Sequence, residues 1–394
     1  MRIGILTGGG DVPGLNPAIR AITLRAIREG HQVIGFRRGW AGLTEIIRDK
    51  EADNSNNFQA LDENIVNKIG RTGGTFLHSS RTRPSDMARN DVPDHLQDKY
   101  IDDINDLTPE VLANLDYFGV DYLIPIGGDD TLSYGAHLHN QGFKVIAIPK
   151  TMDGDVPGTD YTIGFSTCVS RTIEMSHALR TSAGSHERFL IIEVFGRYAG
   201  FSALVPAMAG AADRCVIPEY KFNIEHLTEL MVEDRRDNPS RYSVVLVSEG
   251  AMFEGADMVF KDAETDAYGH KKLGGIGDIV GKQIKELSAK FNNGKKINVI
   301  NQNLGYLVRS GAPDAIDSLV PMAFGNIALN LISKGVSGRL VNLNKGKYGS
   351  APLDVVTSYK KVVNIDAFYN TDRLCPKYTN FENKSFFITT SDQE

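Results

Sequence analysis

Short apolar runs, each bounded by glycine, aspartate or proline, recur along the chain and predict buried strands of a mostly parallel sheet. These runs cover residues 3–6, 33–36, 122–126, 145–148, 189–194 and 243–247. Segments with helical periodicity lie between several of the runs, at residues 17–28, 131–140, 167–181 and 278–290. Asn16 precedes the first of these segments and is its predicted N-cap. The alternation of strands and helices predicts a doubly wound α/β architecture.

The length of the chain predicts more than one lobe. A chain of 394 residues exceeds the size at which a single hydrophobic core stops growing, so two α/β lobes are expected. With 41% hydrophobic and 23% charged residues, the composition is that of a globular protein. The net charge of -6 argues against a surface built for nucleic acid or an anionic membrane. A basic site must therefore be small and focused.

The three cysteines, Cys168, Cys215 and Cys375, are odd in number and widely spaced. This spacing predicts neither a disulfide framework nor a zinc site, and the cysteines are expected to be buried thiols in a reducing compartment. The N-terminal apolar run is too short for the core of a signal peptide, and no stretch reaches the ~20 apolar residues of a membrane span. A cytoplasmic location is expected.

In open α/β sheets, ligands lie outside the carboxyl ends of the strands. The first predicted strand runs into Gly8, Gly9 and Gly10, where positive φ angles and the absence of side chains let the backbone approach an anion closely. This turn predicts a phosphate site, although a tight turn needed only for strand-to-helix geometry would have the same glycines. A second loop, residues 73–81, combines glycines and hydroxyls and ends on Arg81, as a phosphate-binding loop or a plain surface loop would.

Four carboxylates and a lysine follow two further strands. Asp129 and Asp130 come after the run that ends at residue 126, and Lys150, Asp153 and Asp155 come after the run that ends at residue 148. Such a concentration of charge is costly unless a divalent cation and a polyphosphate complete the site, which predicts Mg²⁺-dependent phosphoryl transfer. The alternative is that Asp129 and Asp155 cap the turns and helices that follow them.

Seven motifs occur in order along the chain, at residues 8–16, 73–81, 127–131, 149–155, 185–188, 193–200 and 248–250. Their order and approximate spacing resemble those of the phosphofructokinase family, from residue 1 to about residue 325. The resemblance implies two Rossmann-like three-layer lobes with mostly parallel sheets. One lobe would comprise residues 1–164 plus about 308–358, and the other residues 165–307 plus about 359–394.

The resemblance also implies roles for residues in these motifs. Asp153 would be the general base, Lys150 and Arg188 would complete the catalytic set, and Asp129 and Asp155 would hold Mg²⁺. The donor would be bound by Gly9, Gly10, Arg81, Asp130 and Lys150. The sugar phosphate would be bound by Thr151, Arg188, Phe195, Gly196, Arg197, Glu249, Tyr306 and Arg309. Family members contribute the arginine at the position of Arg188 across a subunit boundary, which implies a homodimer or homotetramer with active sites at subunit interfaces.

Two positions bear on the donor. ATP-using members of the family generally have glycine at the positions of Asp130 and Lys150. Here the carboxylate would repel the α-phosphate of a nucleotide, and the ammonium would neutralise a short inorganic polyphosphate. The pair resembles the pyrophosphate-dependent members, so the implied reaction is the reversible conversion of fructose 6-phosphate to fructose 1,6-bisphosphate in glycolysis or gluconeogenesis. A local salt bridge between Lys150 and Asp130, and an ATP donor bound in a different pose, are the alternatives.

Three departures from the family pattern bear on the sugar. Gly154 stands where the family has an asparagine between two aspartates, Tyr306 where many members have histidine, and Ile300 where many have a second arginine for the 6-phosphate. A different sugar phosphate, such as sedoheptulose 7-phosphate, and a non-catalytic metabolite-binding subunit therefore stay open. Residues 345–394 have no assignable chemistry and are expected to contribute packing.

Overall fold

The computed structural model of the protein describes residues 1–265, 271–379 and 381–384. Its strands are β1 (Arg2–Thr7), β2 (Gln32–Phe36), β3 (Phe58–Leu61), β4 (Met87–Ala88), β5 (Ile104–Asn105), β6 (Tyr122–Gly127), β7 (Ile146–Pro149), β8 (Phe189–Val194), β9 (Arg214–Val216), β10 (Ser243–Ser248), β11 (Phe260–Thr265), β12 (Lys271–Leu273), β13 (Val299–Asn303), β14 (Arg339–Asn344), β15 (Lys347–Pro352), β16 (Tyr369–Asn370) and β17 (Cys375–Pro376). Its α-helices are α1 (Leu15–Arg28), α2 (Trp40–Thr44), α3 (Glu63–Ile69), α4 (Thr108–Tyr117), α5 (Asp129–Asn140), α6 (Phe165–Ser185), α7 (Phe201–Met208), α8 (Ile224–Asp237), α9 (Ile276–Phe291), α10 (Ile316–Ser333) and α11 (Ile365–Phe368).

The larger sheet has seven strands in the order β15-β14-β7-β6-β1-β2-β3. The strands β14, β7, β6, β1 and β2 run parallel to one another, whereas β15 and β3 pair antiparallel at the edges. The strands β1 and β6 lie near the centre and are rich in apolar residues, because both of their faces are buried. The chain therefore builds most of this sheet first, forms the other lobe, and then returns to add β14 and β15.

The smaller sheet has four parallel strands in the order β13-β8-β10-β9. The predicted strands at residues 189–194 and 243–247 are β8 and β10 in its centre, and every residue of both is buried. The helices α6, α7, α8 and α9 pack against these two strands. The two sheets with their helices confirm the predicted α/β fold class, while the residue ranges of the lobes stay a prediction.

The predicted N-cap of the first helix is wrong. Helix α1 begins after Gly14, whose φ of 110° lies in the left-handed region that glycine tolerates. Asn16 lies buried in the first turn of α1 instead, where its amide joins the helix to the second glycine loop. Its Nδ2 donates to Thr72 Oγ1 (2.9 Å), and its Oδ1 accepts from the backbone N–H of Phe76 (2.7 Å). The other three predicted helices correspond to α5, α6 and α9.

Within the described part of the chain, one helix, α10, has the length and composition of a membrane span. This helix packs against α1, β7 and β14 in the lobe of the larger sheet. Such packing is typical of a core helix whose apolar surface is covered by neighbouring elements. The contacts of α10 are therefore those of a helix in a folded domain.

The three cysteines are free thiols. Cys168 and Cys215 are buried, and burial raises the pKa of the Cys168 thiol to about 12. Cys375 lies in β17, in a short two-stranded ribbon at the surface of the smaller lobe, and is half-buried. The prediction of a buried thiol is therefore wrong for Cys375.

Candidate active site

A cleft lies between the carboxyl ends of the two sheets. The loops after β1, β6 and β7 line what we call the large-sheet side, and the loops after β8 and β10 line the small-sheet side. Parallel strands bring their carboxyl ends to one edge, so motifs far apart in sequence meet here. Of the sixteen predicted site residues, thirteen line this cleft: Gly9, Gly10, Arg81, Asp129, Asp130, Lys150, Thr151, Asp153, Asp155, Phe195, Arg197, Glu249 and Arg309.

The glycine turn after β1 fits closely against its neighbours. Gly9 has a φ of 76°. A Cβ at Gly8 would lie 2.5 Å from Thr131 Oγ1, and one at Gly10 would lie 2.8 Å from the guanidinium of Arg309, so neither position has room for a side chain. The N–H groups of Gly8 and Gly9 donate to backbone carbonyls of β6 and of the second glycine loop, both at 3.0 Å. Because the fold uses these two amides, positive charge for an anion has to come mainly from side chains.

Lys150 lies directly beneath the glycine turn. The residue is 3% exposed, and its ammonium donates a hydrogen bond to the carbonyl oxygen of Gly10 (2.6 Å). Desolvation lowers the pKa of Lys150 to about 8, and the guanidinium of Arg309 acts in the same direction, while nearby carboxylates oppose both. The partner of the ammonium is thus the Gly10 carbonyl rather than the carboxylate of Asp130. The arrangement places a compact positive charge at the bottom of the cleft.

Arg309 connects the glycine turn with Phe195 of the cleft and with Tyr306 beside it. Its Nη2 forms an ion pair with Asp11 Oδ1 (2.6 Å), and the residue is 7% exposed. The guanidinium carbon lies 6.0 Å from the ring centroid of Phe195 and 5.1 Å from that of Tyr306. The resemblance implies a sugar-phosphate role for Arg309 and none for Asp11, its partner. The position of Asp11 directly after three glycines at the end of a strand was the available signal.

Three carboxylates crowd the large-sheet side of the cleft. Asp153 Oδ1 is buried and has no hydrogen-bond partner among the described residues. Desolvation raises the pKa of Asp153 to about 7, with a further contribution from the charge of Glu249. Desolvation, together with the charges of Asp153 and Asp129, raises the pKa of Asp155 to about 8. A buried carboxylate that changes charge near neutral pH and has an unused lone pair is suited to accept a proton from a substrate hydroxyl.

No group of three or more histidine, cysteine, aspartate or glutamate side chains within the described ranges is arranged to hold a metal ion. The predicted ligands Asp129 and Asp155 both line the cleft. Their oxygen donors, with the unpartnered Oδ1 of Asp153 nearby, fit a Mg²⁺ ion that takes its other ligands from water and substrate phosphates. The side chains would thus supply part of a coordination sphere and leave room for a phosphate donor.

Gly154 separates Asp153 and Asp155 with a φ of 72°. In this left-handed region glycine is unstrained, and asparagine is among the side chains that tolerate it best. Gly154 lacks the hydrogen-bonding amide of the family's asparagine. Its backbone angle identifies a position that needs a residue tolerant of positive φ, a requirement that glycine meets without strain.

Gly196 joins the two loops of the small-sheet side. Its φ is 120°, and a Cβ at this position would lie 2.4 Å from Ser248 Oγ. Its carbonyl oxygen accepts a hydrogen bond from the backbone N–H of Gly250 (3.1 Å). Gly196 therefore lies behind the wall of the cleft and holds the loops that carry Arg197 and Glu249, rather than lining the cleft itself.

Two predicted residues lie away from the cleft. Arg188 directly precedes β8, whereas Phe195 directly follows it, which separates them by roughly 20 Å along the strand. The chain therefore does not bring its own Arg188 to its own cleft. This separation is expected if Arg188 contributes to the cleft of a second subunit. Tyr306 is 73% exposed and lines a neighbouring depression with His78 and Arg309.

Five residues that line the cleft are not among the predicted site residues. Tyr198 is 42% exposed, and the guanidinium of Arg197 lies 5.9 Å from its ring centroid. An aromatic residue directly after the arginine of a motif was the signal that could have identified it. The lining residues that were missed are Val12, Gly128, Thr131, Met152 and Tyr198.

Comparison with known proteins places these features in a family. The family model described as phosphofructokinase matches residues 2–332. A pyrophosphate--fructose 6-phosphate 1-phosphotransferase from Dictyoglomus thermophilum is 35% identical over 377 residues, which cover 94% of this chain and 97% of that protein. An ATP-dependent 6-phosphofructokinase from Streptomyces coelicolor is 36% identical over 364 residues, which cover 92% of this chain and 96% of that protein.

A solved structure shares the fold. The crystal structure of a pyrophosphate-dependent phosphofructokinase from Nitrosospira multiformis matches with a TM-score of 0.72 at 18% identity, covering 95% of this chain and 89% of that one. The predicted resemblance is confirmed by the family model and by the two relatives, and the fold class by the structural match. Because relatives named for pyrophosphate and for ATP have nearly the same identity, the donor has to be argued from the cleft itself.

Proposed function

The chain belongs to the phosphofructokinase family, and we propose that it transfers a phosphoryl group from pyrophosphate to the 1-hydroxyl of fructose 6-phosphate. The products are fructose 1,6-bisphosphate and orthophosphate, and the reaction is reversible. The observation that carries the proposal is the buried ammonium of Lys150 beneath the glycine turn. The names of several similar proteins support the same donor.

The choice of donor is supported by the space beneath the glycine turn and by the charges that line it. The ammonium of Lys150 lies 3.5 Å from the point at which a Cβ of Gly9 would stand, so it occupies the space under the turn. Asp130 adds a carboxylate in the first turn of α5, at the rim of the same cleft. A short inorganic diphosphate gains the positive charge of Lys150, whereas the longer phosphate chain of a nucleotide meets the carboxylate as well.

Asp153 has the properties that the chemical step needs. Its Oδ1 is unpartnered, and its pKa of about 7 lets it be ionised in neutral solution while keeping a useful affinity for a proton. As the hydroxyl oxygen bonds to the terminal phosphorus, the bond from phosphorus to the bridging oxygen breaks and orthophosphate leaves. Asp153 takes the hydroxyl proton in this step.

The remaining charged residues bind and orient the two substrates. Lys150 would bind the phosphates of the donor, Arg309 would bind the sugar phosphate, and Asp129 and Asp155 would hold Mg²⁺ beside the donor; all four residues line the cleft. When bound, Mg²⁺ supplies neutralisation of the charge on the phosphate oxygens. Arg197 on the small-sheet side would bind the sugar phosphate together with Arg188 of a second subunit, so we propose a homodimer or homotetramer.

One observation favours a second acceptor. Ile300 lies in β13 at a position where many family members have an arginine for the 6-phosphate, and it pairs with Leu190 of β8 in the sheet. The loss of this bidentate phosphate contact weakens the selection for fructose 6-phosphate. A longer ketose phosphate such as sedoheptulose 7-phosphate is therefore the second candidate for the acceptor, with the same donor and the same base.

The test is a steady-state comparison of donors. The protein is assayed with Mg²⁺ and fructose 6-phosphate, with pyrophosphate and ATP at equal concentrations, and then with sedoheptulose 7-phosphate as acceptor. Activity with pyrophosphate and little with ATP is expected, and the double variant Asp130→Gly with Lys150→Gly should lose activity with pyrophosphate. Activity with ATP alone, or unchanged pyrophosphate kinetics in the double variant, would overturn the donor assignment.

A further inference from the structure

A segment near the C-terminus connects the two lobes behind the cleft. Residues 359–363, here called the strap, follow β15 and lie beyond the region matched by the family model. The hydroxyl of Tyr359 accepts a hydrogen bond from the backbone N–H of Gly158 (3.0 Å), in the loop that follows Asp155. The strap therefore begins on the loop that carries the proposed base and metal ligand.

The other end of the strap is bound to the lobe of the smaller sheet. The backbone N–H of Val363 donates to Glu219 Oε1 (2.8 Å). The same carboxylate oxygen accepts from the backbone N–H of Gly200 (2.9 Å), the last residue of the motif that contains Arg197. Five consecutive residues thus join the large-sheet side of the cleft to the small-sheet side.

Lys361 lies at the middle of the strap and is almost completely buried. The residue is 2% exposed, and its ammonium donates to the carbonyl oxygen of Thr159 (2.6 Å). It also lies 5.7 Å from the ring centroid of Phe201, at the start of α7 in the other lobe. One side chain therefore contacts the loop after Asp155 and the helix after Arg197.

The burial of the Lys361 ammonium carries a desolvation penalty. Desolvation lowers the pKa of Lys361 to about 7, although the charges of Asp160 and Asp155 act in the opposite direction. An apolar side chain of similar length would fill the same volume without this penalty. The hydrogen bond to Thr159 and the positive charge near Asp160 and Asp155 are then the contributions of Lys361 that an apolar residue cannot replace.

We propose that Lys361 is a positioning residue that ties the loop 153–160 to the small-sheet lobe and so fixes the separation of the two bound substrates. The inference rests on the proposed phosphoryl transfer between a donor on one side of the cleft and an acceptor on the other. Each substrate is bound chiefly by one side, so a small shift between the sides weakens the chemical step more than either binding step.

The test is the variant Lys361→Met, with Lys377→Met as its matched control. Lys377 belongs to the same C-terminal region and also donates to a backbone carbonyl, that of Asp366 (2.9 Å), but lies away from the cleft. We expect kcat of Lys361→Met to fall about 10–100-fold, while KM for both substrates stays within about threefold. The Tm should stay within about 3 °C of the wild type, because the loss of the hydrogen bond to Thr159 is offset by the removal of the desolvation penalty of the buried ammonium.

Each other result would overturn the proposal. If kcat of Lys361→Met is within twofold of the Lys377→Met value, Lys361 does not position the two substrates. A rise in KM at constant kcat assigns it to binding. A loss of activity matched by a large fall in Tm assigns it to folding alone.

Hydrogen exchange supplies a second readout that does not depend on turnover. Peptides that cover residues 153–160 should exchange about tenfold faster in Lys361→Met than in Lys377→Met, with peptides from β1 unchanged. If Lys361→Met does not fold, Tyr359→Phe removes the bond to Gly158 while keeping the ring, and a smaller change of the same kind is expected. Unchanged hydrogen exchange of residues 153–160 would refute the proposal that Lys361 holds this loop.

The two proposals fail in different ways. A wild-type protein that transfers no phosphoryl group from either donor contradicts the proposed function. The exchange experiment would still decide whether the strap holds the loop. A wild-type protein that is active, with Lys361→Met equally active, contradicts the positioning role and leaves the proposed function intact.

Discussion

The two sides of the cleft differ in how completely one chain builds them. On the large-sheet side, Lys150 is buried and donates to a backbone carbonyl oxygen of the same chain, and Asp11 pairs with the buried guanidinium of Arg309, which follows β13. On the small-sheet side, Tyr198 is 42% exposed and Arg188 lies at the far end of β8. The large-sheet side is thus preorganised within the chain, whereas the small-sheet side has room for contacts from another subunit. We expect mutations on the two sides to affect different kinetic constants.

The largest effect is expected at Asp153, the proposed base on the large-sheet side. Asp153→Asn keeps the shape of the side chain but removes the proton acceptor, so kcat should fall by about 10²–10⁴-fold. The KM for the sugar phosphate should change little, because the small-sheet side is untouched. Steady-state kinetics with both substrates varied would measure this. A kcat within tenfold of the wild type would exclude Asp153 as the base.

The next effect concerns the buried charge beneath the glycine turn. Lys150→Met should lower kcat/KM for pyrophosphate about 100-fold, because a charge-assisted contact in a desolvated site is lost. Lys144→Met is the matched control, since Lys144 precedes the same strand but is exposed at its opposite end. Equal kinetics of the two variants would show that the donor does not contact Lys150.

A smaller effect is expected on the small-sheet side. Arg188→Ala should raise KM for the sugar phosphate roughly tenfold with kcat nearly unchanged, as the loss of one guanidinium–phosphate contact predicts. A mixture of Arg188→Ala and Asp153→Asn subunits should be assayed at low sugar phosphate concentration. If Arg188 acts across a boundary, mixed oligomers contain some intact sites, and activity should exceed the sum of the separate variants. Strict additivity would contradict the shared site.

The smallest effect concerns pH. Asp153 must be ionised to accept a proton, so the rate should fall when the pH drops below the Asp153 pKa of about 7. Lys150 must be charged to bind the donor, so the rate should also fall when the pH rises above the Lys150 pKa of about 8. The charge of Glu249 helps to raise the pKa of Asp153, and Glu249→Gln should therefore move the acidic limb of the kcat/KM profile to lower pH. If the acidic limb moved to higher pH or did not move, Glu249 would not be raising the pKa of Asp153.

The large-sheet side was the easier one to predict from sequence. Eight of the thirteen predicted residues that line the cleft follow its strands β1, β6 and β7, which the apolar runs identify, and parallel strands bring these ends together. The residues that escaped prediction depend on contacts between distant parts of the chain. The bond of Asn16 to the second glycine loop, the pairing of Asp11 with Arg309 and the contact of Lys361 with Thr159 have no local pattern.

Local backbone conformation explains the other differences between the sequence-based predictions and the structure. The sequence shows that Gly154 lacks an amide, but only the φ of 72° shows what the position requires. Likewise, Gly14 rather than Asn16 precedes α1, because a left-handed residue ends the glycine-rich loop there. Backbone angles of this kind follow from the path that the whole loop takes between a strand and a helix.

The strand order of the larger sheet has a consequence for synthesis on the ribosome. Strand β7 ends at Pro149 and its neighbour β14 begins at Arg339, so about 190 residues separate them in the chain. At 5–20 residues per second, roughly 10–40 s pass between their translation. During that time the outer edge of β7 presents unpaired backbone groups, which makes it a template for wrong pairing. The nascent protein therefore depends on the prompt arrival of β14, and a message truncated before that strand would yield an aggregation-prone chain.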